Sequence, residues 1–211
     1  MRDVRVLVNV LAKHRKPMVL LKPKRFTLDE YHQLINLGFF NDNSRVELIR
    51  GEIIEMVAKG TPHSVCNTLL LYALIPLLGN QALVRSQEPI TLLNNSEPEP
   101  DVAIVLPRPD HYLSAHPGSE DILLIIEVSD STLEYDRTTK LSLYAEAQIR
   151  HYWIVNLVAN HLECYSHPYQ NHPSGFGYRT KQIVLPNESV NLPGFPDLYL
   201  PLATIFPGKV V

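Results

Sequence analysis

The stretch DILLIIEVSDSTLEYDRTTK, Asp121 to Lys140, decides the fold. Its five consecutive apolar residues, Ile122 to Ile126, read as a strand buried on both faces. The run then ends in Glu-Val and polar residues, so the Glu127 carboxylate has left the core and needs a partner: a cation, a backbone amide or a metal. Ser131 with Glu134 three residues later forms a capping box, and a helix is expected from there to about Ala147. HYWIVN, His151 to Asn156, reads as the next strand. A strand, a helix and a strand in succession place the chain in the mixed α/β class.

Upstream, DVAIVLP is a short apolar strand opening on Asp101, behind the turn-rich loop NNSEPEP. FTLDEYHQLINLGF is expected to be an amphipathic helix, with Thr27 and Glu30 as its capping box and Leu28, Tyr31, Leu34 and Ile35 on one face. SRVELIRGEIIEMVA reads as a hairpin pivoting at Arg50-Gly51. Its Glu47, Glu52 and Glu55 each fit ordinary solvent-face alternation. TPHSVCNTLLLYALIPLLGNQ reads as a longer helix with Pro62 in its first turn and Gly79 closing it, and Pro76 predicts a kink or an early stop. ALVRSQEPITLL returns to strand, with Pro89 suggesting an edge or a bulge. Downstream, HLECYS and YRTKQIVLP read as further strands, and the Pro-rich ending as a surface strand or coil.

Composition bounds the chemistry. With 211 residues and 45% hydrophobic content, the chain can bury one good-sized core in a single domain. The net charge of -3 lacks the overall basicity of a nucleic-acid binder, so such binding would need a local positive patch. Cys66 and Cys164 offer neither a disulfide framework nor metal-ligand spacing, and a reducing cytoplasm is the expected compartment. The opening MRDVRVLVNVLAKHRKP echoes a secretory signal only faintly: Asn9 interrupts its apolar run, and KHRK stands where a cleavage site should be. No run approaches the ~20 apolar residues of a membrane span, and no membrane partner is expected. Residues 1–25 are basic and Pro-punctuated, which suits an arm reaching a phosphate backbone but fits better a solvated tail or a misplaced start.

Three positions concentrate the chemistry. Asp101 starts one strand, Glu127 ends another 26 residues on, and Lys140 lies on the helix 13 residues after Glu127. If the two strands are antiparallel neighbours, the carboxylates meet and can hold Mg²⁺ or Mn²⁺, with the Val128 carbonyl as a further ligand. Lys140 would bring a cation beside the bound water and offset charge on a phosphoryl group. Asp136, Lys140 and Tyr144, spaced i, i+4 and i+8, share one helical face that could point at the metal. Taken singly, Asp136 and Lys140 also fit a surface ion pair, Tyr144 a core contact and Asp101 a turn residue.

EPEPDVAIV, then LLIIEVSDSTLEYDRTTKLSLYAEAQIRHYWIVN, preceded by VELIRGEIIEM, the histidine of TPHS and RSQEPITL, resemble the Uma2 family, restriction-endonuclease-like proteins abundant in cyanobacteria. The resemblance runs from about Phe26 to the C-terminal strands and implies a nuclease-like domain over residues 26–211. It implies the PD-(D/E)XK nuclease fold, a mixed β-sheet core flanked by helices, here with an N-terminal helix and hairpin. Pro100-Asp101 matches the PD, Glu127 the acidic residue of (D/E)XK and Val128 its X, while Ser129 stands where the lysine is expected. Lys140, on the following helix, sits where Uma2-like sequences carry theirs. Glu47, His63 and Gln87 also match family positions: Glu47 as an added carboxylate, His63 approaching a phosphate and Gln87 bracing the cluster. For His63 a locally hydrogen-bonded helix N-terminal histidine is an equal alternative.

The resemblance implies a Mg²⁺-dependent endonuclease acting on nucleic acid, DNA favoured, and a possible homodimer. The acidic net charge keeps two alternatives open, a non-catalytic binding or assembly protein on the same scaffold and a metal-dependent hydrolase of a small phosphorylated compound. The placement of Arg45, Arg50, Lys59, Arg85 and Arg137 separates these readings: clustered around the carboxylates they favour a polyanion, dispersed they disfavour one.

Overall fold

The computed structural model describes residues 22–40, 44–93, 95–172 and 175–207. Most of the basic N-terminal segment lies outside the described residues. Helix α1 (Leu28–Asn36) starts as its sequence dictates: the Thr27 hydroxyl accepts from the Glu30 N–H at 3.2 Å and the Glu30 carboxylate accepts from the Thr27 N–H at 2.9 Å. Strands β1 (Val46–Ile49) and β2 (Glu52–Glu55) form the expected hairpin, with Arg50 at φ 50° and Gly51 at φ 78°. Two left-handed residues match the twist of the paired strands. Gly51 is also required sterically, since a Cβ there would meet the Arg25 Cβ and the Phe26 carbonyl at 2.8 Å.

A six-stranded mixed sheet follows in the order β3 (Leu83–Ser86), β4 (Val102–Val105), β5 (Ile122–Ser129), β6 (His151–Asn156), β7 (His161–His172) and β8 (Gly175–Val184). Every neighbouring pair is antiparallel except β5 and β6, which run parallel because the helical crossover α3 joins them. α3 has three consecutive pieces: Leu133–Tyr135, a π-helical turn Asp136–Lys140, and Leu141–Glu146. The expected Ser131–Glu134 capping box does not form. Thr132 occupies the N-cap without a side-chain cap bond, and its hydroxyl instead donates to Asp136 at 2.7 Å.

Strand alternation divides the core. Leu124, Ile126 and Val128 of β5 join Trp153 and Val155 in a cluster covered by helix α2 (Thr61–Leu78), while Ile125 joins Tyr152, Ile154, Leu143 and Tyr144 beneath α3. Glu127, in phase with Ile125, therefore faces the α3 side. α2 runs two residues past Pro76 rather than stopping there, which is tolerable because the proline sits in the last turn.

Apolar and uncharged over 18 residues, α2 is by length and composition long enough to cross a membrane, contrary to the sequence expectation. Its Cys66, Leu70, Leu74 and Leu78 stripe is nevertheless packed on the sheet. Leu70→Ala should therefore destabilise the fold by about 2–5 kcal/mol, read by urea denaturation, whereas a loss below about 0.5 kcal/mol would contradict this packing.

Pro89 lies outside β3, which is one of the two edge strands of the sheet. The Pro-rich ending forms a hairpin, β9 (Ser189–Leu192) with β10 (Phe195–Pro201), whose Val190, Leu192 and Leu200 close the α2-side core.

Candidate active site

The antiparallel register that pairs Val102 with Ile126 brings the start of β4 beside the end of β5, as the sequence requires if Asp101 and Glu127 are to meet. The Glu127 Oε2 accepts from the Asp101 N–H at 3.1 Å, and the Asp101 Oδ2 accepts from the Val128 N–H at 2.9 Å. Each carboxylate is thus anchored on the other strand. Because a residue in an extended strand points its N–H and C=O to the same side, the Val128 carbonyl lies on the Asp101 side too.

Asp101 has two side-chain neighbours as well. His63 Nε2 lies 2.9 Å from Oδ2, and Lys59 Nζ donates to Oδ1 at 3.0 Å. Burial pushes the Asp101 carboxyl up, but the His63 hydrogen bond and charge, the Lys59 ammonium and the Val128 amide together hold it below its ordinary value. Glu127 goes the other way. Burial, with the charges of Asp101 and Asp136 adding to it, pushes its carboxyl up to about 8 despite the opposing Lys140 ammonium. Its Oε1 accepts from the Tyr144 hydroxyl at 2.8 Å.

Lys140 is buried between two carboxylates, 2.7 Å from Glu47 Oε2 and 3.6 Å from Glu127 Oε1. Burial works to depress its pKa, but Glu127 and Glu47 outweigh it and the ammonium is held above its ordinary value. Glu47 is buried rather than alternating toward solvent, whereas Glu52 and Glu55 are exposed. Its carboxylate also accepts from the Glu99 N–H at 3.2 Å and from the Tyr135 hydroxyl at 3.4 Å.

The π-helical turn corrects the expected helical face. A turn closed by the Leu141 N–H on the Asp136 carbonyl is wider than an α-turn, and the Tyr152 hydroxyl satisfies that same carbonyl at 3.1 Å. Lys140 and Tyr144 still converge on the carboxylates. Asp136 lines the same cavity, but it is engaged by the Ser129 and Thr132 hydroxyls at 2.7 Å, and burial raises its pKa. Ser129, where the lysine of (D/E)XK was expected, thus fastens the crossover helix to β5.

His63 is the first buried residue of α2, and its Nδ1 has no hydrogen-bond partner among the described residues. Gln87 contributes through its backbone. At φ 56° its N–H lies 3.2 Å from the carbonyls of both Pro100 and Asp101, and its side chain reaches neither carboxylate among the described residues. Lys59 and Tyr135 were not singled out as site residues by the sequence. Their signal was faint: Lys59 lies in a loop four residues ahead of His63, and Tyr135 stands beside Asp136.

Most of these side chains, though not Gln87, Ser129 or Tyr144, line a cavity of about 300 Å³. Its wall carries Glu47, Glu55, Glu99, Asp101, Glu127, Asp130 and Asp136 against Lys59, Lys140 and His63. Of the five basic residues whose placement separates the readings, Lys59 is in the cavity and Arg45 pairs with Glu99 at its rim. Arg50 is bound to Glu146, Arg85 packs near Tyr112 and Glu88, and Arg137 pairs with the buried Glu163. The basic residues are therefore mostly dispersed.

No three His, Cys, Asp or Glu side chains form a ready-made metal shell among the described residues. Two adjacent carboxylates do suit a hard divalent ion, which takes oxygen donors and completes its octahedron with water and substrate phosphate.

No curated protein matches the sequence. The fold is similar to that of a crystal structure from Anabaena variabilis ATCC 29413, described as a putative nuclease belonging to DUF820. The TM-score is 0.64 at 16% identity, covering 86% of this chain and 97% of that one. The model of the Uma2 family, described as "Putative restriction endonuclease", matches residues 28–203. With that match spanning most of its length, the chain belongs to the Uma2 family.

Proposed function

We propose that this protein is a divalent-metal-dependent nuclease that hydrolyses phosphodiester bonds, with DNA the favoured substrate. One observation carries the reading: Asp101 and Glu127 are locked side by side across β4 and β5, with Lys140 beside Glu127 in one cavity. Mg²⁺ or Mn²⁺ would be held by Asp101, Glu127 and the Val128 carbonyl, supplying an activated water and charge neutralisation at phosphorus. Asp101, whose carboxyl is held below its ordinary value by the His63 hydrogen bond, the Lys59 ammonium and the Val128 amide, is ready to act as a ligand. Tyr144 orients Glu127 through its hydroxyl. Lys140 holds Glu47 and Glu127 in place and faces the charge that develops on the phosphoryl oxygens.

The acidic lining and the dispersed arginines favour a second reading, a hydrolase of a smaller phosphorylated compound with the same chemistry. A polyanion entering this cavity would depend on the divalent ion and on few protein cations, so its binding should show a shallow salt dependence once the metal is present.

Calorimetric titration of Mn²⁺ and Mg²⁺ into wild type and the Asp101→Asn, Glu127→Gln double variant, with and without a duplex oligonucleotide, tests the metal site. Binding present in wild type and lost in the variant is expected. Equal binding in both proteins, or none in either even with the oligonucleotide, would turn the assignment toward a non-catalytic scaffold.

A further inference from the structure

Two lysines flank the carboxylate pair, and they are not equivalent. Lys140 forms the floor: its side chain is 5% exposed and its ammonium is claimed by both Glu47 and Glu127. Lys59 lies on the solvent side, 16% exposed, near the α2 end of the loop joining β2 to α2, and Asp101 Oδ1 is its one ion-pair partner among the described residues. The other Asp101 oxygen is held differently. Oδ2 takes the Val128 backbone N–H and the ring of His63, both fixed by the strand and by the first turn of α2. Of the Asp101 partners, only Lys59 sits on a long flexible stem that can let go without moving backbone.

We propose that Lys59 is an exchangeable counter-ion of the site: it occupies Asp101 Oδ1 while the site is empty of metal, yields that oxygen to a divalent cation, and then binds a phosphate oxygen of the substrate. The proposal rests on the metal-dependent reading above and extends it to a residue that reading does not use. A divalent ion and an ammonium cannot share one carboxylate oxygen at contact distance without strong repulsion, so loading the metal expels the lysine. The expelled ammonium stays tethered at the cavity, where its surroundings are otherwise dominated by carboxylates. A phosphate carried in beside the metal is the anion that would hold it there. Lys140 cannot serve this purpose, because leaving its place would strand Glu47 and Glu127 facing each other in the interior.

The exchange gives Lys59 opposite effects on two ligands, which a merely structural ion pair would not produce. Lys59→Met removes the competitor, so Mn²⁺ should bind the metal-free variant about tenfold more tightly by calorimetry. The same variant should bind a labelled duplex oligonucleotide in Ca²⁺ about tenfold more weakly by fluorescence anisotropy, one phosphate contact having been lost. Lys59→Arg, which keeps the charge, should lie near wild type in both measurements, and thermal unfolding of the metal-free proteins checks that all three are folded. Unchanged Mn²⁺ affinity in Lys59→Met, in a protein whose binding is lost with Asp101→Asn, overturns the proposal while leaving the metal site standing. Tighter Mn²⁺ binding without weaker duplex binding overturns its phosphate half. If wild type binds no Mn²⁺ with or without duplex, the metal reading itself fails and takes this proposal with it.

Discussion

Lys140→Met is expected to lower the stability of the metal-free protein by about 3–5 kcal/mol and to abolish hydrolysis, the largest effect of any single substitution in the site. The ammonium is buried and bridges Glu47 and Glu127, which come from a hairpin and a sheet strand far apart in sequence. Removing it leaves the Glu47 carboxylate without its cation in a low-dielectric cavity, beside a Glu127 carboxyl that loses the charge opposing its protonation. The double variant Lys140→Met, Glu47→Gln removes the surplus charge. It should recover a good part of the stability, seen as a return of the urea midpoint, without recovering activity. A single variant that unfolds at the wild-type urea concentration would show that the ion pair is not what joins the hairpin to the sheet. Restored activity in the double variant would remove Lys140 from the chemistry.

The carboxylate pair was legible because strands impose simple rules. An apolar run that stops at Glu127 and another that begins after Asp101 place both residues at strand ends, and antiparallel pairing then makes those ends neighbours. The hairpin turn was legible for the same kind of reason, since Arg50-Gly51 provides the left-handed residues that a tight turn demands.

What escaped the sequence was decided by tertiary contacts. Period-3.6 spacing assumed an unbroken α-helix through Asp136, Lys140 and Tyr144, whereas the Ser129 and Thr132 hydroxyls fix Asp136 and the turn opens into π geometry. The Ser131–Glu134 box failed because the hydroxyl next to it, on Thr132, was recruited by Asp136 instead. By alternation alone Glu47 read as one of three equivalent glutamates; the family resemblance marked it as an added carboxylate, and the docking of the hairpin against α3 is what separates it physically from Glu52 and Glu55. Lys59 belongs to a loop, where no periodicity reports which way a side chain reaches. Gln87 matched its expected neighbourhood and not its expected means, because its contribution is a left-handed backbone.

Glu127→Gln is expected to flatten the pH dependence of stability in the metal-free protein between about pH 5 and pH 8. The Glu127 carboxyl is pushed up to about 8 in the folded protein, chiefly by burial, against about 4.3 in an unfolded chain. Across that window the folded state keeps a proton that the unfolded state has released. Its contribution is therefore fully present below the unfolded value and is lost as pH rises through the folded one, with a slope of up to ~1.4 kcal/mol per pH unit. Asp101 acts at the other end. Its lowered value adds stability above the ordinary aspartate range, and that stability is lost only as acid takes the pH down through the folded value. His151, whose pKa is lowered by burial, pulls against Glu127 near neutrality, so the difference between wild type and variant is the quantity to measure. Urea midpoints at unit pH steps, taken in chelator, should diverge in favour of the variant as pH rises from 5 to 8, and parallel curves would show that Glu127 is already ionised. The same proton must leave before Glu127 can hold a cation, so wild-type Mn²⁺ affinity should climb by up to about tenfold per unit between pH 6 and pH 7.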